Sequence, residues 1–378
     1  MKILLFDMDG VLLESRGYHL ALQETVRRMA LALGFADATL SPDDIAAFEA
    51  GGITSEWDEA AISTALLLET VWMDEPECSL PDSLAQPISA NPSPRTLPDF
   101  RELARVLSTV DLLHLHPLER AGRLFLGQNH HTARQEQILK DLILGARLAE
   151  ISLTHRTFQE LVLGSAEFSR TYDLPAELNS ESYLLKYDRS NLSSVDSIRL
   201  QDWMFLPGHA AALITSRPSH PPAGIFSTPE AELGAELVGL EGIPILGWGG
   251  MCWLGLQRHT DPQNFLKPSP VHALAGLRMA WGESQETALA AAADLVENNQ
   301  TDSSWQRLEA AQVSVFEDTP GGIKSLRSAK GVLGRAGIHI EANSYGIAQN
   351  QVKVQALKAL GAQISPSLVE ALNAAFLI

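Results

Sequence analysis

Residues 2–10 of the chain read Lys-Ile-Leu-Leu-Phe-Asp-Met-Asp-Gly, and this stretch decides the fold. Four consecutive apolar residues are followed at once by acidic residues and a glycine. A short apolar run without polar alternation is typical of a strand that is buried on both faces, as in a parallel sheet. The abrupt change predicts that the strand ends at residue 6 and that Asp7 and Asp9 lie just beyond its carboxyl end.

Three later apolar runs have the same character, at residues 210–215, 242–246 and 313–316. Apolar residues spaced three and four positions apart predict helices between these runs, near 230–238, 270–281 and 285–297. Strands that alternate with helices in this way predict an α/β fold with a doubly wound, Rossmann-like parallel sheet.

The first strand is separated from the others by a long segment of mostly helical pattern. We therefore predict a core made of residues 1–13 and 206–378, with a large α-helical domain, residues 14–205, inserted after the first strand. Residues 76–98 contain six prolines together with Ser, Asp and Asn, which predicts a loop or a disordered segment inside the insertion.

The overall charge limits the classes of partner. The chain has 28 Lys and Arg against 46 Asp and Glu, a net charge of −18 in 378 residues. Sequence-independent binding of nucleic acid needs a cationic surface, so we expect no nucleic-acid partner. The charge does not exclude an anionic substrate, because the field of a binding site is local.

Cysteine usage and the apolar segments indicate a compartment. Cys78 and Cys252 cannot form a disulfide framework, so a reduced, cytoplasmic setting is expected. The apolar run at the N-terminus is too short for a signal peptide. The most membrane-like stretch, residues 237–256, contains a glutamate, a proline and several glycines, so we expect strand and loop there and no membrane partner.

Four polar clusters follow the predicted strands, at residues 7–10, 215–217, 267–270 and 317–322. In an open α/β sheet, the ligand crevice lies outside the carboxyl ends of the strands. The sequence therefore predicts that these clusters meet at one site.

In this order the clusters resemble the motifs of the haloacid dehalogenase (HAD) superfamily, whose phosphatases use an aspartate nucleophile. Phe-Asp-Met-Asp-Gly-Val-Leu at 6–12 resembles the first motif, and Leu-Ile-Thr at 213–215 resembles the second. Lys267 with the prolines that follow it resembles the third, and Glu-Asp at 317–318 before Gly-Gly-Ile resembles the acidic fourth. The resemblance covers the core, roughly half the chain.

The resemblance is to the first subclass of that superfamily, which includes phosphoglycolate phosphatase and β-phosphoglucomutase. Members of this subclass carry a helical cap after the first strand, which closes over small substrates and excludes bulk water. The inserted segment here is far longer than the usual small helical cap. For that reason the substrate-binding residues of relatives are not carried over to this insertion.

The resemblance and the chemistry of the residues together imply catalytic roles. Asp7 is the expected nucleophile, since a carboxylate can attack phosphorus and form an acyl phosphate. Asp9 is the expected general acid for the leaving oxygen and then the base for the attacking water. The carboxylates of Asp7, Glu317 and Asp318 make a hard oxygen site suited to Mg²⁺, and the resemblance adds the backbone carbonyl of Asp9.

Three further residues are expected to bind the phosphoryl group. Thr215 and the backbone N–H of Ser216 would hold its oxygens. Lys267 would steady the nucleophile and neutralise charge on the transferring group. Each of these residue types alone is more often a turn former or a solvated surface group, so the prediction depends on the ordered combination.

These features predict a Mg²⁺-dependent phosphatase that hydrolyses a small phosphorylated metabolite through an aspartyl-phosphate. The resemblance implies that an acid two positions after the nucleophile, here Asp9, marks phosphotransfer members and not dehalogenases or phosphonatases. Two alternatives stay open. One is a phosphomutase that returns the phosphoryl group to a sugar, and the other is a module that binds a phosphate ligand without turnover.

Within the insertion, His19 and Trp57 are the candidate site residues. His19 could organise the hinge of the cap or be a structural histidine. Residues 48–58 could be the plain start of a helix or a loop that enters the site. Histidine pairs at 114 and 116 and at 130 and 131 have no acidic or Cys partner at a diagnostic spacing, so no second metal is predicted.

Overall fold

A computed structural model describes residues 1–36, 38–84, 95–109 and 111–376 of the chain. The chain divides into two compact units. The first unit comprises Met1–Ser15 and Asp188–Ile378, and the second comprises Arg16–Tyr187.

The first unit is built on a six-stranded sheet with the order β5-β4-β1-β6-β7-β8, in which every neighbouring pair is parallel. A separate antiparallel pair joins β2 and β3. The strands are β1 Lys2–Phe6, β2 Leu13–Glu14, β3 Arg189–Ser190, β4 His209–Ile214, β5 Ile245–Leu246, β6 Gln312–Glu317, β7 Glu341–Ile347 and β8 Gln363–Ser365. Because the six strands run in the same direction, their carboxyl ends lie along one edge.

The second unit is helical, and its described residues contain no strand. Its helices are α1 Gly17–Ala32, α2 Pro42–Ala50, α3 Glu56–Trp72, α4 Phe100–Leu107, α5 Pro117–Phe125, α6 Ala133–Ile143, α7 Leu153–Leu163, α8 Ser165–Tyr172 and α9 Tyr183–Tyr187. Helix α2 begins with a capping box, in which Ser41 accepts a hydrogen bond from the Asp44 N–H and the Asp44 side chain accepts from the Ser41 N–H.

The remaining helices belong to the first unit and connect its strands. They are α10 Ser194–Met204, α11 Glu230–Val238, α12 Trp248–Arg258, α13 Pro270–Ala280, α14 Gln285–Asn298, α15 Pro320–Arg335, α16 Gln351–Ala359 and α17 Leu368–Phe376, with 3₁₀ helices at Pro262–Phe265 and Ser303–Leu308. In the part of the chain that the structure describes, no helix combines the length and apolar character needed to cross a membrane.

Strand β1 shows why the sheet is covered on both faces. Ile3 and Leu5 belong to an apolar cluster with residues of α12, α13, α14 and α15. Leu4 and Phe6 point the other way, into a second cluster with residues of α10, α11 and α17. Side chains alternate between the two faces of a strand, so an unbroken apolar run is what a sheet between two helical layers requires.

The predicted fold class is confirmed: the protein is α/β, with a Rossmann-like parallel sheet and a large helical insertion. Strands β7 and β8 were not predicted. The sequence of β7, Glu-Ala-Asn-Ser-Tyr-Gly-Ile, is polar over its first half, and it forms a strand by pairing with β6.

The observed unit boundary differs from the expected one at the end of the insertion. The second unit ends at Tyr187, whereas the insertion was expected to end at 205. The intervening residues include β3, which pairs with β2, and α10, whose Leu200 and Trp203 lie in the apolar cluster of the sheet. These apolar contacts attach residues 188–205 to the first unit.

Residues 85–94 of the proline-rich segment 76–98 lie outside the described residues. Residues 76–84 and 95–98 contain no helix or strand, as expected for a loop. The carbonyl of Pro76 accepts a hydrogen bond from Gln135 Nε2 (3.0 Å), and the N–H of Leu84 donates to Glu177 Oε2 (2.9 Å). These parts of the loop are therefore attached to the helical unit.

Candidate active site

Asp7 lies at the carboxyl end of the central strand. Its N–H donates to the carbonyl of Phe316 in β6 (3.0 Å), which continues the sheet hydrogen bonding one residue beyond β1. The Met8 N–H donates to Asp7 Oδ1 (2.8 Å). The side chain is buried, so this carboxylate has a fixed orientation at the strand end.

Glu317 and Asp318 lie beside Asp7 because β6 is the neighbour of β1. Glu317 is the last residue of β6, and Asp318 follows it. One oxygen from each of the three buried carboxylates lies within 4.8 Å of the others. The structure therefore brings together the three side chains predicted to bind a metal.

Lys267 connects two of these carboxylates. Its Nζ lies 2.8 Å from Asp7 Oδ1 and 2.9 Å from Glu317 Oε1. Burial alone would lower the pKa of Lys267, but the negative charges of Asp7 and Glu317 raise it. The ammonium group is thus charged and held against the predicted nucleophile.

His272, which the sequence analysis did not single out, positions Lys267. Its Nδ1 accepts a hydrogen bond from the Lys267 backbone N–H (3.2 Å), and its Nε2–H donates to the carbonyl of Leu246 (3.1 Å). This pattern assigns the neutral tautomer with the proton on Nε2. Burial and the nearby Lys267 charge lower the pKa of His272 to about 3, so the ring stays neutral.

Asp318 is paired with a different lysine, Lys353. Lys353 Nζ donates to Asp318 Oδ2, and Lys353 lies in the first turn of α16, which Asn350 caps. Burial and the negative charge of Asp7 raise the pKa of Asp318, while Lys353 opposes this effect. No motif marks Lys353, which comes from a helix far from the acidic cluster in sequence.

Two glycines make room for the acidic side chains. A Cβ at Gly10, where φ is +74°, would lie 2.3 Å from Asp318 Oδ2. A Cβ at Gly322, in the first turn of α15, would lie 1.8 Å from Glu317 Oε1. Both glycines belong to the sequence motifs, and the structure gives the physical reason: backbone and carboxylate approach too closely for any side chain.

Asp9 is held by Arg217, and its side chain is 43% exposed. Arg217 Nε donates to both carboxylate oxygens of Asp9 (2.9 and 3.0 Å), and Ser15 Oγ donates to Oδ1. Desolvation of the partly buried Asp9 carboxylate would raise its pKa, but the Arg217 charge and these hydrogen bonds hold it below its usual value. In this arrangement Asp9 is ionised, which suits a base, and it must gain a proton before it can act as an acid.

Arg217 also binds a second carboxylate in the first unit. Its Nη2 donates to Asp188 Oδ2 (2.9 Å) and to Ser15 Oγ (3.0 Å), and both charged side chains are buried. The sequence analysis included Arg217 in the cluster that follows β4 but gave it no role. The sequence signal that could have indicated a role for Arg217 was its position, two residues after the predicted phosphate-binding Thr215.

Thr215 and Ser216 follow β4, the other neighbour of β1. Thr215 is fully buried, its N–H donates to the carbonyl of Leu246 (3.0 Å), and its Oγ1 accepts from the Arg217 N–H (3.1 Å). Ser216 is exposed. Thr215 thus fixes the turn that carries Arg217, and binding of phosphate by Thr215 and Ser216 stays a prediction.

The two candidates from the insertion lie in the helical unit. His19 is on α1, 49% exposed, with Nε2 3.3 Å from Glu49 Oε1. Trp57 is on α3, where its ring makes an edge contact with His155 and lies beneath the Arg147 guanidinium, with Cζ 5.8 Å from the ring centroid. Ser55 precedes α3 without a side-chain capping bond. A role for His19 or Trp57 at the site stays a prediction.

The donor set fits a hard divalent cation. The three carboxylates lie close enough together to bind one ion, and Mg²⁺ prefers oxygen ligands. Burial and the negative charge of Asp7 raise the pKa of Glu317, with Lys267 acting against them. A bound cation would relieve this repulsion between like charges.

The fold and this cluster define a Rossmann-like α/β protein with an acidic site at the carboxyl edge of its sheet. No protein-family model matches the chain, and no curated protein does. Two solved structures match the chain at low sequence identity, and only the first of them has a TM-score that indicates a similar fold. Northeast Structural Genomics Consortium target ZR25 is 17% identical with a TM-score of 0.59, covering 96% of this chain and 95% of that one. Phosphatase Tt82 from Thermococcus thioreducens is 14% identical with a TM-score of 0.46, covering 96% and 100%.

Proposed function

We propose that the chain is a Mg²⁺-dependent phosphatase of the HAD type, which hydrolyses a small phosphomonoester through an aspartyl-phosphate on Asp7. One observation carries the proposal. The Asp7 carboxylate at the end of the central strand is held by Lys267 and faces Glu317 and Asp318 from the neighbouring strand end. This arrangement combines a nucleophile, a cation and a metal-binding carboxylate set at the edge where ligands bind in open α/β sheets.

The residues that would hold Mg²⁺ are Asp7, Glu317 and Asp318, together with the backbone carbonyl of Asp9 that the resemblance implies. When bound, the ion would neutralise charge on the phosphoryl group and so permit attack by an anion. Lys267 supplies further positive charge at the same place, because it already contacts Asp7. Lys353 would share Asp318 with the ion or release it.

The nucleophilic step follows from the orientation of Asp7. Its Oδ1 accepts hydrogen bonds from the Met8 N–H and Lys267, so we assign attack on phosphorus to Oδ2. A bond forms between Oδ2 and phosphorus as the bond from phosphorus to the leaving oxygen breaks. Asp9, once protonated, gives its proton to that leaving oxygen.

The second step regenerates the carboxylate. Asp9 takes a proton from water as the water oxygen attacks phosphorus, and the bond between phosphorus and Asp7 breaks. The depressed pKa of Asp9 suits its role as base in this step, which leaves Asp9 protonated for the next leaving oxygen, and Arg217 fixes its orientation. Thr215, the Ser216 N–H and Lys267 are assigned to the phosphoryl oxygens. With a net charge of −18, we propose a small metabolite in place of nucleic acid as substrate.

The test is release of inorganic phosphate from a broad panel of phosphorylated metabolites, with Mg²⁺ and with a chelator. We expect Mg²⁺-dependent release from the wild type, and an Asp7→Asn variant that folds normally but is slower by about 10⁴-fold or more. Asp111→Asn, at an exposed position, is the matched control. Full activity of Asp7→Asn, or equal rates with the chelator, would contradict the proposal.

A further inference from the structure

A second cluster of metal-ligating side chains lies wholly within the helical unit. Glu69 is on α3, and His130 and His131 lie just before α6. One ligating atom from each of the three residues lies within 4.8 Å of the others. His131 Nε2 is 2.7 Å from Glu69 Oε1, and His130 Nε2 is 3.8 Å from Glu69 Oε2.

Within the residues that the structure describes, three buried atoms of this cluster make no hydrogen bond. The His131 side chain is 3% exposed, and among the described residues neither of its ring nitrogens makes a hydrogen bond. Glu69 Oε1 is also buried without one, although it lies close to His131. Most buried polar side-chain atoms in folded proteins have a partner, so these three atoms need an explanation.

The chain around His131 is held in place. His131 precedes Thr132, whose capping box with Gln135 fixes the start of α6. The Trp72 ring packs edge-on against the His131 ring, with centroids 5.8 Å apart, and its indole N–H donates to the Cys78 carbonyl (2.8 Å). A ligand that is oriented by its neighbours in this way is preorganised for binding.

We propose that Glu69, His130 and His131 form a binding site for Zn²⁺ or a similar divalent transition metal. Two imidazoles and a carboxylate are a donor set that favours such an ion over Mg²⁺, and three protein ligands leave a position open. Two ligands bound about 2.0–2.1 Å from a tetrahedral ion lie about 3.4 Å apart. The observed separations of 2.7 and 3.8 Å bracket that value, so small side-chain rotations would form the site.

This site differs from the carboxylate cluster of the first unit in both composition and place. Glu69 joins the adjacent histidines only through the packing of helices in the second unit, so their spacing in sequence gives no signal. The ion would connect α3 to the segment before α6. The competing explanation is a simple ion pair between Glu69 and His131, which the test below separates from metal binding.

The test uses the full chain, treated with a chelator and then given an excess of Mg²⁺ to saturate the carboxylates of the first unit. Co²⁺ is titrated while its visible d–d absorption is recorded, and Zn²⁺ is then added as competitor. We expect one equivalent of Co²⁺ with a nitrogen-ligated, tetrahedral spectrum, and displacement by Zn²⁺. Glu69→Gln and His131→Asn should each weaken binding by more than about 10-fold.

Two variants control for misfolding and for the other cluster. His130→Asn changes a mostly exposed ring, so it should lose affinity while keeping the wild-type circular dichroism spectrum. His114→Asn, an exposed histidine of the same unit, should bind as the wild type does. The proposal is overturned if the wild type binds no Co²⁺ in excess Mg²⁺, or if Glu69→Gln and His130→Asn bind as tightly as the wild type.

Discussion

Buried charge is compensated differently at the candidate active site of the first unit and around a few buried groups of the second unit. In the first unit, each acidic side chain of the site has a cation: Lys267 for Asp7 and Glu317, Lys353 for Asp318, and Arg217 for Asp9. In the second unit, buried polar atoms of Glu59, Glu69 and His131 make no hydrogen bond within the described ranges.

The difference shows two ways in which a fold accommodates ionisable groups. At the carboxyl ends of the strands, acidic side chains lie close to lysines, and the attraction between their opposite charges fixes their positions. In the second unit the buried Asp58 likewise has a cation, Arg147, as its partner, but the charges that shift the pKa of its neighbour Glu59 are all negative, so a proton must neutralise Glu59. For Glu59, burial together with the charges of Glu56, Glu49 and Asp58 raises the pKa to about 9. Glu59 is therefore protonated at neutral pH.

The largest expected effect comes from removing a buried cation of the first unit. Arg217→Ala should lower the free energy of unfolding by about 3–5 kcal/mol, because it takes this cation from the buried Asp188. Urea denaturation measures the change. Arg189→Ala, an exposed arginine of the same unit, should shift stability by less than about 0.5 kcal/mol. Equal effects of the two substitutions would mean that the buried ion pair between Arg217 and Asp188 contributes no more to stability than an exposed arginine does.

A smaller effect is expected from crowding the acidic cluster. Gly322→Ala should cost about 1–3 kcal/mol and weaken Mg²⁺ binding, because its Cβ would displace the Glu317 carboxylate. Gly331→Ala on the same helix is the matched control, since its Cβ would meet only Arg335 Nη1, at 3.8 Å. This control should be stabilising by about 0.5–1 kcal/mol. Calorimetric titration with Mg²⁺ and thermal denaturation decide the outcome, and unchanged Mg²⁺ affinity in Gly322→Ala would count against the cluster as a metal site.

The third prediction concerns the proton on Glu59. The folded protein keeps this proton up to a pKa of about 9, while the unfolded chain loses it above about 4.5. The stability that Glu59 contributes is therefore complete below pH 4.5 and falls as pH rises toward 9. Glu59→Gln lacks this dependence, so its advantage over the wild type should grow by about 1 kcal/mol per pH unit between pH 5.5 and 7.5. Thermal denaturation at several pH values measures this difference.

The exposed Glu150 provides the comparison for that experiment, since Glu150→Gln should leave the pH dependence of the wild type unchanged. A stability difference between Glu59→Gln and the wild type that stays constant with pH would mean that Glu59 is ionised in the folded protein.

Residues that end apolar strands were predictable from the sequence. Asp7, Glu317 and Asp318 directly follow apolar runs, and parallel strands bring such positions to one edge. The sequence analysis did not find Lys353 or His272. Lys353 reaches Asp318 from a helix that no motif marks, and His272 acts through the backbone of Lys267.

The features that the sequence patterns did not predict depend on tertiary packing. Strand β7 has a polar first half, so only its pairing with β6 makes it a strand. Residues 194–204, which form α10, were expected to belong to the insertion, but Leu200 and Trp203 pack into the apolar cluster of the sheet. Glu69 meets the two histidines through helix packing, which no local spacing could predict.

The most direct test of the proposed mechanism is to find the phosphoryl group on Asp7. The wild type, Mg²⁺ and the best substrate of the panel are mixed, quenched with acid within the first turnover, digested and measured by mass spectrometry. We predict one phosphoryl group on the peptide that contains Asp7, sensitive to hydroxylamine and absent from Asp7→Asn. Rapid phosphate release with an unmodified Asp7 peptide, or with the phosphoryl group on another residue, would contradict the proposal.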